Sequence, residues 1–348
     1  MSTKRYGKLS SALLIQKASF FESNEQHVEK QRKIASIYKK QPKRINCKNC
    51  NIQLELFSDF VKDGIDYVVC NQCHHLNGMY EDTDEFCKAI YTADSGKNFA
   101  ENYKTEDIDS YNYRVASIYL PKAEFLYTSL LDNNINPHSL EYIDVGAGSG
   151  YFVAALKEIG LNNVEGTEVS KSQVNFANAM IGKKLLKTHN IEDTNIILRE
   201  SKHQVVSMIG VLEHLQHPRE ALNELRYNDN VKFLYISVPT FSLSVYLEIF
   251  SPETFHRQLH GGHTHLYTEK SLSYIFKEFG FEIIAEWWFG TDIVDLFRHI
   301  SVTLEKTKCS KKLVELWRQD IISLIDAMQL EIDKKHFSSE VHIVLKKI

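Results

Sequence analysis

No apolar run in this sequence approaches the ~20 residues that a bilayer crossing requires. With six prolines and fifteen glycines in 348 residues, it has the composition neither of collagen nor of a Pro/Gly-rich disordered chain. The stretch MSTKRYGKLS carries early positive charge but no apolar core and no small-residue cleavage site, so it does not read as a secretion signal. A cytoplasmic protein without a membrane span is the expectation. An excess of basic residues is missing too: 41 Lys and Arg face 45 Asp and Glu, for a formal net charge of −4. A general affinity for nucleic acid is therefore not expected. Cysteine is sparse. Of six, four form two Cys-x-x-Cys pairs, while Cys87 and Cys309 stand alone. In a cytoplasmic setting such pairs point to metal rather than disulfides.

What is present is distributed unevenly. Residues 1–45 hold eleven Lys or Arg against three Glu. Residues 1–44 read as a solvated helical arm, with a phosphate- or partner-binding arm as the alternative. Its apolar positions (Leu9, Leu13, Phe20, Val28, Ile34, Ile37) are too loosely spaced for a long coiled coil. Residues 45–80 are bounded by cysteines and rich in strand formers, among them Ile65, Tyr67, Val68 and Val69. Residues 81–117 form a polar, tyrosine-rich linker (Tyr91, Tyr103, Tyr111, Tyr113) that packs on the next domain.

From residue 118 strands and helices alternate. Strands are predicted at Tyr142–Val145, Val164–Val169, 184–189, Val205–Ile209, Phe233–Val238 and Phe281–Phe289. Helices are predicted from about 118, from the glycine turn at 150, from Ser170, from Pro218 and from the N-cap Thr268. That rhythm implies an α/β fold with a doubly wound, mostly parallel sheet covered on both faces. Residues 291–335 read as a helical insertion. Glu340–Leu345 reads as a last strand, added antiparallel at the sheet edge.

The strongest local signal is YIDVGAGSGYF, residues 142–152: an apolar strand runs through Asp144 into Gly146, Ala147, Gly148 and Gly150, and a helix begins there. Glycines serve where the chain turns with unusual dihedrals or where a ligand touches backbone directly, and the helix N-terminus offers free N–H groups. A dinucleotide site would have G-x-G-x-x-G spacing, but its third glycine position holds Tyr151 here. The D-x-G-x-G-x-G pattern resembles motif I of class I S-adenosylmethionine-dependent methyltransferases, in which this loop wraps the methionine part of the cofactor.

Glu168 ends the next strand, about 24 residues beyond Asp144, and Val169 comes directly after it. A carboxylate at that point of a doubly wound sheet can accept from both ribose hydroxyls. The resemblance places Asn190 and Ile191 beside the adenine, with Asp193 as the rival register. It extends to VVSMIGVLEHLQHP, 205–218, including Ile209 and the LEHL tetrapeptide, although Gln204 stands where such enzymes carry an Asp. It covers about residues 100–348, and implies a methyltransferase domain over 118–348.

Cys47, Cys50, Cys70 and Cys73 give C-x2-C-x19-C-x2-C, a spacing that suits two knuckles facing one structural Zn2+. About 35 residues could not fold on their own apolar core, so the metal would supply folding free energy. A redox pair or four unrelated thiols are the alternatives. The pattern and domain order resemble the zinc-binding domain ahead of bacterial sugar and nucleotide-sugar methyltransferases, where it helps form the substrate cleft.

Methyl transfer needs alignment of acceptor and methyl, and removal of a proton. His263, His265 and His214 are the candidate bases, with Tyr246 and His256 behind them. Trp287, Trp288, Asp292, Asp295 and Arg298 read as a sugar-facing wall, with Arg298 pairing to a phosphate, and core and lid packing is the alternative for the two tryptophans. The expected function is methyl transfer to a small molecule, foremost a sugar or nucleotide-sugar. The competing readings are a non-sugar acceptor (polyketide, lipid head group, quinone), an RNA methyltransferase and a non-catalytic cofactor-binding protein.

Overall fold

The computed structural model describes residues 3–10, 14, 23–92, 107–255, 257–259, 262–307 and 309–348. Its strands are β1 (Thr3–Tyr6), β2 (Phe60–Lys62), β3 (Ile65–Val69), β4 (Leu76–Gly78), β5 (Tyr142–Val145), β6 (Val164–Glu168), β7 (Leu186–Thr188), β8 (Val205–Ile209), β9 (Phe233–Pro239), β10 (His265–Leu266), β11 (Phe281–Phe289) and β12 (Glu340–Lys347). Eight of them make one sheet in the order β1-β11-β12-β9-β8-β5-β6-β7. The other four make a small antiparallel sheet in the order β10-β4-β3-β2.

The large sheet arises from two-residue alternation within strands that are buried on both faces. Tyr142, Val205, Phe233 and Tyr235 point to one side, against the helices Leu120–Asp132 and Tyr151–Glu158. Ile143, Val145, Val206, Met208, Leu234 and Ile236 point to the other, against the helices Pro218–Tyr227 and Glu269–Glu278. β5 pairs parallel with β6 on one side and with β8 on the other. The chain therefore winds outward in both directions from β5. A crevice opens at such a switch point, beyond the carboxyl ends of the strands, where ligands of open α/β sheets bind.

Two expectations need correction. β12 is antiparallel as expected, but it lies between β9 and β11 rather than at the edge. Its run Val341–Leu345 is buried and hydrogen-bonded to a neighbouring strand on each side. The edge is occupied instead by β1, which pairs parallel with β11 from Thr3↔Ala285 to Tyr6↔Trp288. The predicted helical arm thus contains a strand as well as the helix Asn24–Tyr38. Arg5 lies over the Trp287 ring at 4.0 Å, and Trp287 Nε1 donates to the Gly7 carbonyl. Leu13 and Phe20 lie outside the described residues, as do Tyr103 and the Tyr91 side chain.

Helices at Thr194–Glu200 and Leu243–Phe250 are present as well, with no counterpart among the predicted elements. The insertion after β11 is three helices, Asp292–Lys306, Lys311–Ile322 and Ile325–Asp333. Within the linker, Tyr111 is buried and stacks on Tyr151 at 4.8 Å. Among the described residues, no helix is long and apolar enough to cross a membrane.

The cysteine-bounded segment does not stand apart from the larger domain. β10, drawn from the later chain, joins β4 through His265↔Asn77 and Leu266↔Leu76. Gly78 donates to the Thr264 carbonyl at 2.8 Å, and a Cβ there would sit 2.7 Å from the same oxygen. Only glycine permits that approach. Buried Lys62 pairs with buried Glu248 at 2.7 Å, which ties β2 to the helix Leu243–Phe250. Asn49, between the first two cysteines, donates to the Ser271 carbonyl, and its own carbonyl accepts from Arg219.

Candidate active site

The loop after β5 is shaped by Gly146, Gly148 and Gly150, with φ of 73°, 54° and 75°. Gly146 shows why. A Cβ there would lie 2.6 Å from Cγ2 of Val211, so this loop runs directly against the segment after β8. Gly146 and Ala147 both donate to the Thr167 carbonyl at 2.9 Å, which locks the loop to β6.

At the end of β6 the buried Glu168 carboxylate accepts from Gly148 N and Ser170 N, each at 2.9 Å. Two backbone donors fix its orientation without neutralising it, and Val169 continues the chain beyond. Asp144 is also buried, and Ser207 Oγ donates to its Oδ1 at 2.6 Å. Burial pushes the Asp144 carboxyl up to about 7; the Ser207 hydrogen bond opposes that shift and the Glu168 charge adds to it. After β7, Asn190 and Asp193 share one turn, with Asn190 Nδ2 donating to Asp193 Oδ2 at 3.0 Å, and Ile191 opens that turn. Ile209 ends β8. The predicted cofactor residues thus all stand at or just beyond the carboxyl ends of β5, β6, β7 and β8, along one edge of the sheet.

The segment after β8 turns at Gly210 into a single 3-10 turn, Leu212–His214. Glu213 is buried, and among the described residues its Oε2 has no hydrogen-bond partner. The His214 and His263 rings stack with centroids 5.1 Å apart, and one ligating atom from each of Glu213, His214 and His263 lies within 4.8 Å of the others. Nδ1 of His214 donates to the Gly262 carbonyl and Nδ1 of His263 to the Gln258 carbonyl at 2.9 Å. Burial pushes both imidazoles down, His214 to about 3 and His263 to about 4, and pushes the Glu213 carboxyl up to about 8. The two rings are therefore neutral near pH 7. His214 keeps about 21% of its side chain exposed.

His265 does not join this cluster. As part of β10 it is fully buried, with Nδ1 2.8 Å from His75 Nε2 and its ring against Tyr267. It therefore belongs to the joint between the two sheets. Glu213, inside the LEHL tetrapeptide, is not among the sequence-predicted site residues; its signal is a carboxylate beside a histidine directly after a parallel strand. Tyr246 is half exposed and packs on Phe241, while His256 lies outside the described residues.

The segment 287–298 is framework rather than a pocket wall. Trp287 and Trp288 are fully buried. Asp292 accepts from Ser242, from both donors of Ser244 and from Ser339 N, and Arg298 pairs with Asp295. Ser244 also donates to Asp295, and all three groups are buried rather than set on an open wall, which corrects the sugar-facing reading of Asp292, Asp295 and Arg298.

The four cysteines meet as their spacing predicts. Cys47 Sγ lies 3.6 Å from Cys73 Sγ and Cys50 Sγ 3.5 Å from Cys70 Sγ, with all four within 4.8 Å of one another. Tetrahedral thiolates about 2.3 Å from one Zn2+ would stand roughly 3.8 Å apart, so the donor set fits that ion. The two knuckles repeat one geometry. Asn51 and His74, four residues after Cys47 and Cys70, take φ of 60° and donate back to those cysteines' carbonyls. Asn77 Nδ2 lies 3.5 Å from Cys47 Sγ as an outer donor.

Residues 116–286 match the family model described as a methyltransferase domain. The architecture is a mixed α/β Rossmann-like methyltransferase fold, with the cysteine cluster toward its N-terminal side. Magnesium protoporphyrin IX methyltransferase from Synechocystis PCC 6803, solved with bound S-adenosylhomocysteine, is similar over 76% of this chain and 100% of its own, at 12% identity and a TM-score of 0.46. A putative sarcosine dimethylglycine methyltransferase from Galdieria sulphuraria is similar over 73% and 98%, at 13% identity and a TM-score of 0.45. No curated protein matches the chain in sequence.

Proposed function

We propose that this chain is an S-adenosylmethionine-dependent methyltransferase acting on a small molecule, and that the acceptor is a sugar or nucleotide-sugar. The observation that carries the first part is Glu168, a buried carboxylate held by Gly148 N and Ser170 N at the switch point beside a glycine loop. A carboxylate so fixed can take two hydroxyls of a ribose, and the loop leaves backbone exposed to the methionine part. The match of residues 116–286 to a methyltransferase domain supports the same assignment.

The acceptor half of the site is the Glu213–His214–His263 cluster, which adjoins the glycine loop through the Val211–Gly146 contact. An acceptor hydroxyl must lose its proton on transfer, and neutral imidazoles held by Nδ1–H donation to carbonyls can accept one at Nε2. The cysteine module, with Zn2+ as its structural ion, supports the sugar assignment because β10 carries it directly against the loop bearing His263. A closed four-thiolate shell has no open position, so the ion's role there is to fold the knuckles.

Calorimetric titration with S-adenosylmethionine and S-adenosylhomocysteine tests the cofactor assignment. Micromolar binding, lost in Asp144→Ala and Glu168→Ala, is the expected outcome. Failure of the zinc-loaded, folded chain to bind either compound would overturn it. Methyl transfer from radiolabelled cofactor to a panel of nucleotide-sugars, against polyketide and quinone acceptors, then tests the acceptor class.

A further inference from the structure

We propose that Glu213, His214 and His263 form a second metal site, distinct from the cysteine cluster, that binds one divalent cation where the acceptor is held. The inference rests on the methyl-transfer reading for its purpose but not for its geometry. Three donors of the right kinds converge within 4.8 Å: one carboxylate and two imidazoles. The Glu213 carboxylate is 3% exposed, and among the described residues its Oε2 meets no hydrogen-bond donor. A buried polar oxygen left so costs on the order of 1–3 kcal/mol, and a cation bound beside it removes that cost. Its Oε1 lies 3.8 Å from His214 Nε2, too far for a hydrogen bond and close enough for both atoms to reach one ion.

The histidines are oriented as ligands. Nδ1 of each donates to a backbone carbonyl, Gly262 for His214 and Gln258 for His263. Metal-bound imidazoles are held by just such outer contacts, which fix the tautomer and leave Nε2 as the basic nitrogen. Gly210 stands alongside, with no side chain between the backbone and Glu213 Oε1; a Cβ there would be 3.6 Å from that oxygen.

Two imidazoles and one carboxylate select Mn2+, Fe2+, Co2+ or Zn2+ over Mg2+ or Ca2+, whose shells are oxygen-rich. Three protein ligands leave positions open for acceptor oxygens, a vicinal diol being a suitable pair. A hydroxyl bound to the cation would be acidified, as metal-bound water is, giving its proton to solvent water while its oxygen takes the methyl group and the sulfonium S–C bond breaks to leave S-adenosylhomocysteine. With the ion in place the two histidines act as ligands, and acidification by the metal takes over the role of a free imidazole base.

Mn2+ serves as the probe because it competes poorly for thiolates. Zinc-loaded full-length protein is titrated with Mn2+ while free ion is followed by electron paramagnetic resonance. One Mn2+ per chain is expected, with nitrogen hyperfine coupling from imidazole, and with affinity lowered at least about tenfold in Glu213→Gln and in His263→Ala. Both variants should still bind S-adenosylhomocysteine, which reports that they fold. Free Mn2+ that never falls in wild-type protein, together with no Co2+ or Zn2+ uptake beyond the cysteine site, would overturn the proposal. So would bound Mn2+ without nitrogen coupling, or unchanged affinity in variants that bind S-adenosylhomocysteine. Binding of S-adenosylhomocysteine without Mn2+ binding sinks this site alone, whereas the reverse result sinks the cofactor assignment and leaves the metal site standing.

Discussion

Two buried carboxylates stand at the ends of neighbouring strands and are treated differently by their surroundings. Glu168 has two backbone N–H groups, whereas Asp144 has one hydroxyl, and burial lifts the Asp144 carboxyl to about 7. The folded chain therefore binds a proton that the unfolded chain, with its aspartate near ~3.9, has already released. The stability owed to that proton is complete below about pH 4 and is lost as pH rises through about 7. Asp144→Asn should consequently melt higher than wild type at pH 8, with the gap closing toward pH 4. The size is on the order of a few kcal/mol at most. Thermal melts across that range, without cofactor, check it; a gap independent of pH would contradict it.

At this scale the sequence was legible where spacing dictates geometry. The glycine turn after β5 and the carboxylate that closes β6 stand where they were expected, because a strand that turns sharply needs glycine there. His263 and His265 could not be told apart, two residues apart in one loop. Only the pairing of β10 with β4 decides that His265 is buried against His75. Nor does any local pattern announce that, among the described residues, Oε2 of Glu213 is left without a donor, because that depends on what surrounds it.

Among the elements, β11 shows how an edge is finished. Its apolar run Trp287–Phe289 was plain from the sequence, and its extent was predicted as observed. The strand that covers it was not, because β1 is four mostly exposed residues, TKRY, with no alternation to betray them. What holds β1 is made in the tertiary structure: parallel pairing, the Arg5–Trp287 stack and the Trp287–Gly7 hydrogen bond. Deleting residues 1–7 should lower the melting temperature by several degrees and shift tryptophan emission to the red as Trp287 gains water. Cofactor affinity should change little, since β1 and β7 are at opposite edges. An unshifted spectrum would show that β1 does not cover Trp287 in solution.

Over the whole molecule, the small sheet and the large one share a segment of chain. β10 pairs with β4, and His263 precedes it by two residues, so the cysteine knuckles and the proposed acceptor site are mechanically linked. Among the described residues, Glu168 and the glycine loop have no strand pairing with the small sheet. Removing zinc with a strong chelator should therefore raise KM for the acceptor several-fold before it weakens binding of S-adenosylhomocysteine. Equal losses in both would argue for global unfolding instead. The strands of the large sheet and the meeting of the four cysteines were each legible from period and spacing, but the joint between the two sheets was not. It depends on contacts such as Gly78 with Thr264 that bring distant stretches of chain together.

The placement of β12 has a consequence for the order in which the molecule can be assembled. β1 touches the sheet only through β11, and β11 only through β12, while β12 is the latest of the three in the chain. Strands β5 to β9 can associate as they are synthesised, but β1 has no partner until almost the whole chain exists. Such long-range pairing is slow and leaves apolar surface uncovered meanwhile. During synthesis the partial sheet of β5 to β9 therefore waits for β11 and β12, and β1, made first, pairs last.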